Sequence, residues 1–184
     1  MVQELLAKLA TELDARKIPY MVIGGQAVLL HGEPRLTKDI DITLGVDTDK
    51  SADILALAAD LGFKLLAENS EEFIQSTMVL PVEEQATGIR VDLIFSYSPY
   101  ERSAIARAKQ VNIAGKTLRF ISAEDLLIHK IVAGRPRDLE DVKGILLKNK
   151  NLDEDYILHW LKDFSASLDK DLIACFKNIS TETK

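Results

Sequence analysis

The sequence has a single cysteine, Cys175, so no disulfide can form within this chain of 184 residues. It also lacks an apolar run of about 18 residues or more, the length that suggests a membrane-spanning helix. Disulfides are typical of oxidising compartments, and their absence fits a reducing one. The two absences together predict a cytoplasmic protein that makes no contact with a membrane.

Basic residues are fewer than acidic ones. The chain has 23 lysines and arginines against 29 aspartates and glutamates, a formal net charge of −6, and aromatic residues make up only 6%. Binding nucleic acid regardless of sequence requires a broad basic surface, and binding single-stranded RNA relies on aromatic stacking platforms. The composition therefore argues against a small RNA-binding protein, although a local basic patch stays open.

The order of predicted elements changes after residue 121, because strands and helices alternate before it and only helical patterns follow. Helices are predicted over 2–16, 25–31 and 50–61, and strands over 20–23, 39–44, 63–66, 73–80 and 90–95, before a hairpin over 109–121. Ser122 begins the next helix as a capping residue, with Asp125 three positions on. The pattern predicts an α+β (α/β) fold, with a mixed β-sheet and flanking helices over 1–121 and a helical C-terminal region over 122–184.

Three aspartates occur within predicted strands. Asp39 and Asp41 are two residues apart, so their side chains point to the same face, and Asp92 points away from the apolar face of its own strand. If the two strands are neighbours, the three carboxylates converge and repel one another unless a cation lies between them. Carboxylates and substrate phosphates together are typical Mg²⁺ ligands. The alternative is that these acids only cap turns or contact water.

Two adjacent glycines, Gly24 and Gly25, lie between a predicted strand and a predicted helix. Phosphate groups bind at helix N-termini, and glycine permits close approach to the backbone. The alternative is a tight turn with no ligand. The pattern is neither a dinucleotide-binding fingerprint, because the third glycine is missing, nor a P-loop, because no Gly-Lys-Ser/Thr follows.

These motifs together resemble a known family. A Gly-Gly pair after a strand, then Asp-x-Asp on a strand and a third Asp on a later strand, resemble the polymerase-beta-like nucleotidyltransferase superfamily. "GGQAVLLHG", "RLTKDID" and "EDLLIHKIVAGRPRDLEDV" are similar to the minimal, AbiEii-type nucleotidyltransferases of prokaryotes, some of which are toxins or antitoxins. The resemblance covers about residues 15–148 and implies a nucleotidyltransferase fold.

The resemblance also implies roles for individual residues. Asp39, Asp41 and Asp92 would be the catalytic and metal-binding carboxylates for two Mg²⁺ ions, or Mn²⁺, and Asp92 would help deprotonate the acceptor. The implied nucleotide-binding residues are Gly24, Gly25, Thr37, Lys38, Lys130 and Asp138. Asp141 would help to order the basic segment. From the pattern alone, Lys130 either extends to water or faces a cleft.

The basic residues Arg35, Lys38, Arg135 and Arg137 form either a local rim for phosphate or RNA, or an ordinary solvated surface. The spacing between His31 and His129 is not typical of a metal site, so neither histidine is predicted to bind a metal.

The function expected from the resemblance is Mg²⁺-dependent transfer of a nucleoside monophosphate from a nucleoside triphosphate, such as ATP, to a hydroxyl group. The acceptor could be RNA or tRNA, a protein or a small molecule, and a cognate toxin or antitoxin partner is one expected context. The alternative is a non-catalytic nucleotide- or partner-binding module on the same fold, similar to an antitoxin. The C-terminal helices carry no motif that identifies the acceptor.

Overall fold

The computed structural model describes residues 1–183, which form seven β-strands and nine α-helices. A 3₁₀ turn over Thr48–Lys50 precedes α3. The elements in chain order are α1 Val2–Ala15, β1 Tyr20–Ile23, α2 Gly24–His31, β2 Ile40–Leu44, α3 Ser51–Asp60, β3 Lys64–Leu65, α4 Ser70–Thr77, β4 Val79–Glu84, β5 Ile89–Phe95, α5 Pro99–Ala106, β6 Lys109–Ile113, β7 Lys116–Phe120, α6 Ala123–Ala133, α7 Pro136–Lys148, α8 Glu154–Leu168 and α9 Leu172–Glu182.

The seven strands form one sheet in the order β3-β4-β5-β2-β1-β7-β6. The pairs β2–β5 and β1–β7 are parallel, and the other neighbouring pairs are antiparallel. The sheet is therefore mixed, which confirms the predicted fold class. The hairpin predicted over 109–121 is formed by β6 and β7, and it turns at Ala114 and Gly115, which both have positive φ.

The core lies around the central strands. All four residues of β1 are buried, and β5 alternates buried residues with more exposed ones, so that one face of β5 packs into the interior. On β2, Ile40 and Ile42 are almost fully buried while Asp41 between them is not. This alternation follows the period of two along a strand. It leaves the polar residues of β2 and β5 together on the opposite face of the sheet.

The chain divides into two compact units. The first holds the sheet and comprises Met1–Gln26 and Leu36–Ile121. The second comprises Ala27–Arg35 and the chain from Ser122 onward. Within the second unit, Lys148 and Asn149 near the end of α7 donate hydrogen bonds to main-chain oxygens of Leu30, Gly32 and His31. These bonds explain why 27–35 groups with the C-terminal helices, although it lies within the N-terminal part of the sequence.

Two local predictions need correction. The strand predicted over 73–80 is wrong up to residue 77, because that segment is the end of α4, and β4 begins only at Val79. Asn69 caps α4 by accepting a hydrogen bond from the Glu72 amide, and this polar capping outweighs the apolar residues that suggested a strand. The helix α5 was not predicted, although Ser98, Pro99 and Glu101 make a capping pattern at its start.

Within residues 1–183, no helix combines the length and the apolar composition that crossing a membrane requires.

Candidate active site

The parallel pairing of β2 and β5 places two of the predicted carboxylates side by side. Asp41 on β2 is the direct partner of Asp92 on β5. Neighbouring strands lie about 5 Å apart, and residues in direct register point to the same face of the sheet. Asp39 precedes β2 by one residue and is two positions from Asp41. The strand pair therefore brings Asp41 and Asp92 together, and the convergence of all three carboxylates stays a prediction.

The turn that contains Gly24 and Gly25, called the glycine turn below, lies against the Asp41 side chain. Gly24 directly follows β1 and begins α2 with φ of +62°, the left-handed region that favours glycine. A Cβ atom at this position would lie 1.9 Å from Asp41 Oδ2 and 2.7 Å from its Cγ. Both the backbone angle and the space therefore require glycine here. The glycine allows the Asp41 carboxylate to lie directly on the strand-to-helix turn.

The next two residues of α2 contact the segment that leads into β2. A Cβ atom at Gly25 would lie 2.3 Å from Thr37 Oγ1, so the absence of a side chain admits the threonine hydroxyl. The Gln26 side chain is 8% exposed, and its Nε2 donates a hydrogen bond of 3.2 Å to the main-chain oxygen of Asp39. Gln26 was not predicted as a site residue. Its contact holds Asp39 beside the first turn of α2.

A basic residue that the sequence reasoning missed lies with the carboxylates. Arg90 Nε donates a hydrogen bond of 2.9 Å to Asp92 Oδ1. The pKa of Arg90 is raised, mainly by this hydrogen bond and further by the negative charges of Asp92, Asp39 and Asp41, whereas burial acts in the opposite direction. Arg90 therefore contacts Asp92 directly and feels the charges of Asp39 and Asp41. The spacing of two residues between Arg90 and Asp92, which places both on one face of β5, is the pattern that could have revealed it.

The residues around this turn fit a divalent cation in their chemistry. The donors are carboxylates, the ligands that Mg²⁺ prefers. Within residues 1–183, no group of three or more His, Cys, Asp or Glu side chains is arranged to hold a metal ion by itself. A cation at this turn would therefore be held by one or two carboxylates together with phosphate oxygens, the usual arrangement for Mg²⁺.

In the second unit, the lysine assigned to phosphate lies in a buried charged cluster. Lys130 Nζ is 2.8 Å from Asp138 Oδ1 and 2.8 Å from Asp141 Oδ2. Two arginines complete the cluster: Arg135 Nε lies 2.5 Å from Asp138 Oδ2, and Arg35 Nε lies 3.1 Å from Asp141 Oδ1. Lys130, Asp138 and Asp141 are each less than 10% exposed. The phosphate contact assigned to Lys130 stays a prediction, and its ammonium group already has two carboxylate partners.

The cluster fixes the arginines as well as the lysine. Burial raises the pKa of Asp138, but hydrogen bonds and charges from Arg135 and Lys130 outweigh burial, and the net pKa lies below the ordinary value of 3.8. Arg135 is 75% exposed at its side chain, although its guanidinium is held by the buried carboxylate. Lys38 and Arg137, also predicted for the basic rim, are exposed. The cluster can therefore present an ordered arginine to solvent.

The start of α6, the helix that carries Lys130, is fixed by the predicted capping box. The Ser122 hydroxyl oxygen accepts from the Asp125 amide at 3.1 Å, and the same hydroxyl donates to Asp125 Oδ2 at 2.7 Å. The Tyr156 hydroxyl donates to the other carboxylate oxygen of Asp125 at 2.8 Å. Gly134 ends the helix in the left-handed conformation. These caps set the length of α6 and so the position of Lys130 along it.

Comparison with solved structures supports the fold. The structure is similar to a crystal structure of an antigenic nucleotidyltransferase-like protein from Paracoccidioides brasiliensis, with a TM-score of 0.57 and 19% identity over 94% of this chain and 92% of that one. It is also similar to ANT(2")-Ia in complex with adenylyl-2"-tobramycin, with a TM-score of 0.61 and 18% identity over 90% of this chain and 98% of that one. A third similar structure is a putative nucleotidyltransferase from H. pylori, with a TM-score of 0.50 and 16% identity over 98% of this chain and 94% of that one.

At these identities the likeness establishes the fold, which is that of nucleotidyltransferases. A search of curated proteins found no match to the sequence. A family model described as "Nucleotidyltransferase of unknown function (DUF6036)" matches residues 1–171, which include the glycine turn, the three aspartates and the charged cluster. The chain therefore belongs to the DUF6036 family of nucleotidyltransferases.

Proposed function

We propose that the protein transfers a nucleoside monophosphate from a nucleoside triphosphate to a hydroxyl group, with Asp39, Asp41 and Asp92 at the reacting centre. The observation that carries the proposal is the pairing of Asp41 with Asp92 across two parallel strands while Asp41 lies against the Gly24 turn. The arrangement concentrates negative charge where a helix begins. Carboxylates beside a helix N-terminus are the arrangement expected of a site that binds a cation together with a phosphate chain.

The first turn of α2 would hold the triphosphate. The first amide groups of a helix have no partner within it, and they donate readily to phosphate oxygens. Gly25 has no side chain to keep phosphate away, and the Thr37 hydroxyl beside it can donate a further hydrogen bond. These contacts orient the α-phosphate for attack, which is the main contribution a protein makes to phosphoryl-type transfer.

The carboxylates of Asp39, Asp41 and Asp92 would hold two Mg²⁺ ions, or Mn²⁺. When bound, these ions supply the positive charge that offsets the charge developing on the phosphate and on the leaving pyrophosphate. Asp92 would take the proton from the acceptor hydroxyl on one of its carboxylate oxygens. The acceptor oxygen then forms a bond to the α-phosphorus as the bond to pyrophosphate breaks.

The similar structures suggest which donor and acceptor to test first. ANT(2")-Ia was solved with adenylyl-2"-tobramycin, and LnuA, a lincosamide antibiotic adenylyltransferase, was solved with lincomycin bound. Both names point to adenylyl transfer onto a small molecule. We therefore place ATP first among the donors and small hydroxylated compounds first among the acceptors, with RNA, tRNA and protein as the other acceptor classes.

Labelled ATP and each acceptor class, incubated with Mg²⁺, test the proposal directly. The variant Asp41→Asn removes one negative charge at the centre, and Asp53→Asn removes an exposed one in the first turn of α3. We expect label transfer with the wild type and with Asp53→Asn, and at least a ~100-fold loss with Asp41→Asn at an unchanged circular dichroism spectrum, because positioning and charge stabilisation are both lost. Equal transfer by Asp41→Asn and the wild type would exclude the mechanism.

An AbiEii-type role within a toxin–antitoxin pair belongs to the same proposal as one biological context. It predicts that expression of the active protein slows growth, or that the protein binds and neutralises a cognate partner. A non-catalytic binding module is the alternative. ATP binding measured by calorimetry, without release of pyrophosphate in the presence of any of the acceptor classes, would favour that alternative.

A further inference from the structure

Arg90 is a basic side chain that lies with the proposed metal-binding carboxylates: it donates a hydrogen bond to Asp92, and the charges of Asp39 and Asp41 also act on it. It lies on β5 two positions before Asp92, so both side chains leave the strand on the same face. Its Nε donates directly to Asp92 Oδ1 at 2.9 Å. The side chain of Arg90 is 52% exposed and that of Asp92 is 22% exposed. The pair can therefore open without unfolding the sheet.

The pairing has a cost for metal binding. A carboxylate oxygen that accepts from a guanidinium has fewer lone pairs left for a cation, so a cation that binds Asp92 through this oxygen competes with the arginine. Two cations beside each other also repel.

We propose that Arg90 is an internal counter-ion of the acid cluster, which a divalent cation must displace from Asp92 before transfer can occur. The inference rests on the proposed function, because it assigns the cation to the same three acids. Arg90 is a positioning residue in this scheme: it holds Asp92 in the metal-free protein and releases it when the metal and the triphosphate bind. Binding of metal without nucleotide is correspondingly weakened.

Titration of the protein with Mn²⁺, followed by the electron paramagnetic resonance signal of the free ion, tests this without any measurement of activity. The titration is done without nucleotide and again with the non-hydrolysable α,β-methylene analogue of ATP. Four variants are compared with the wild type. Arg90→Gln removes the charge, Arg90→Lys keeps it, Asp41→Asn removes a proposed ligand, and Arg102→Gln removes an equal charge from α5, where Arg102 stacks on the Tyr97 ring.

We expect Arg90→Gln to bind Mn²⁺ about two- to fivefold more tightly than the wild type without nucleotide, the range that a half-exposed charge pair supports. Arg90→Lys and Arg102→Gln should bind within a factor of about two of the wild type, and Asp41→Asn should bind more weakly. Affinity in Arg90→Gln that equals or falls below the wild-type value would overturn the inference, and so would an equal gain in Arg90→Lys or Arg102→Gln.

The two proposals fail differently in this experiment. If the wild type binds Mn²⁺, Asp41→Asn does not, and Arg90→Gln behaves as the wild type, the counter-ion role is wrong and the proposed function stands. If neither the wild type nor Arg90→Gln binds Mn²⁺, with or without the analogue, the metal site itself is wrong and both proposals fall.

Discussion

Replacing Lys130 by methionine would remove the cation that two buried carboxylates share. Methionine has a similar length and no charge, so the change keeps most of the packing within α6. The Lys130 ammonium is 2.8 Å from an oxygen of Asp138 and 2.8 Å from an oxygen of Asp141, and the three side chains are 9%, 3% and 6% exposed. Loss of the lysine leaves two negative charges in a region that water does not reach freely.

Breaking a buried ion pair by removing one partner costs about 3–5 kcal/mol. Here each carboxylate keeps one arginine, because Asp138 still contacts Arg135 and Asp141 still contacts Arg35. We therefore expect the lower end, a loss of about 3 kcal/mol in the free energy of unfolding. With a urea dependence of about 2 kcal/mol/M, the midpoint of unfolding should fall by about 1.5 M.

Lys143→Met is the matched control. Lys143 lies on α7 and pairs with Glu182 at 2.7 Å, but the two side chains are 47% and 60% exposed. An exposed pair contributes at most about 1 kcal/mol, so its midpoint should fall by about 0.5 M or less. Adding Asp141→Asn to Lys130→Met removes one of the two negative charges that have lost the lysine, and it should recover part of the loss. If Lys130→Met lowers the midpoint no more than Lys143→Met does, the buried cluster does not stabilise the fold as argued.

The same variants separate anchoring from phosphate contact. An ammonium group has three N–H donors, and two carboxylates leave one for another partner. If Lys130 contacts the triphosphate as the family resemblance implies, folded Lys130→Met should bind ATP more weakly than Lys143→Met in calorimetry well below the unfolding midpoint. Equal ATP affinity in the two variants would mean that Lys130 has only a structural role in the buried charged cluster.

The sequence was sufficient for the mixed sheet because its strands carry strong local patterns. Alternation in "DIDITL" and "RVDLIF" predicts which side chains face the core, and it correctly places Ile40 and Ile42 inside. The pattern does not predict that β2 pairs with β5. Between Leu44 and Ile89 lie 44 residues of chain, and the register of two distant strands is set by the tertiary structure. The approach of Asp41 to Asp92 could only be stated as a condition.

The glycine turn shows a different limit. The sequence suggested that Gly24 and Gly25 make room for phosphate, which stays a prediction, and the structure shows that they make room for Asp41 and Thr37 of the same chain. Whether a glycine makes room for another side chain of the protein depends on residues distant in sequence, so the local sequence cannot show it. Arg90 was missed for the opposite reason, because its spacing from Asp92 was visible but a single arginine on a half-exposed strand has many ordinary roles.

Two further predictions concern single residues. Burial, with a smaller contribution from the Lys130 charge, lowers the pKa of His129 from 6.5 to about 4. Because the folded protein keeps His129 neutral, the free energy of unfolding should be constant above pH 6.5 and fall by about 3 kcal/mol as the pH drops toward 4. Urea midpoints measured across this range should show the decrease in the wild type and a smaller one in His129→Gln. Gly24→Ala and Gly62→Ala both place a Cβ on a backbone of positive φ, at +62° and +69°, so each should lose about 1–2 kcal/mol of stability. Only at Gly24 does the new atom meet another group, 1.9 Å from Asp41 Oδ2, whereas nothing lies within 4 Å at Gly62. Nucleotidyl transfer should therefore be lost in Gly24→Ala and kept in Gly62→Ala, and equal activity in the two variants would mean that the Asp41 carboxylate need not rest on the turn.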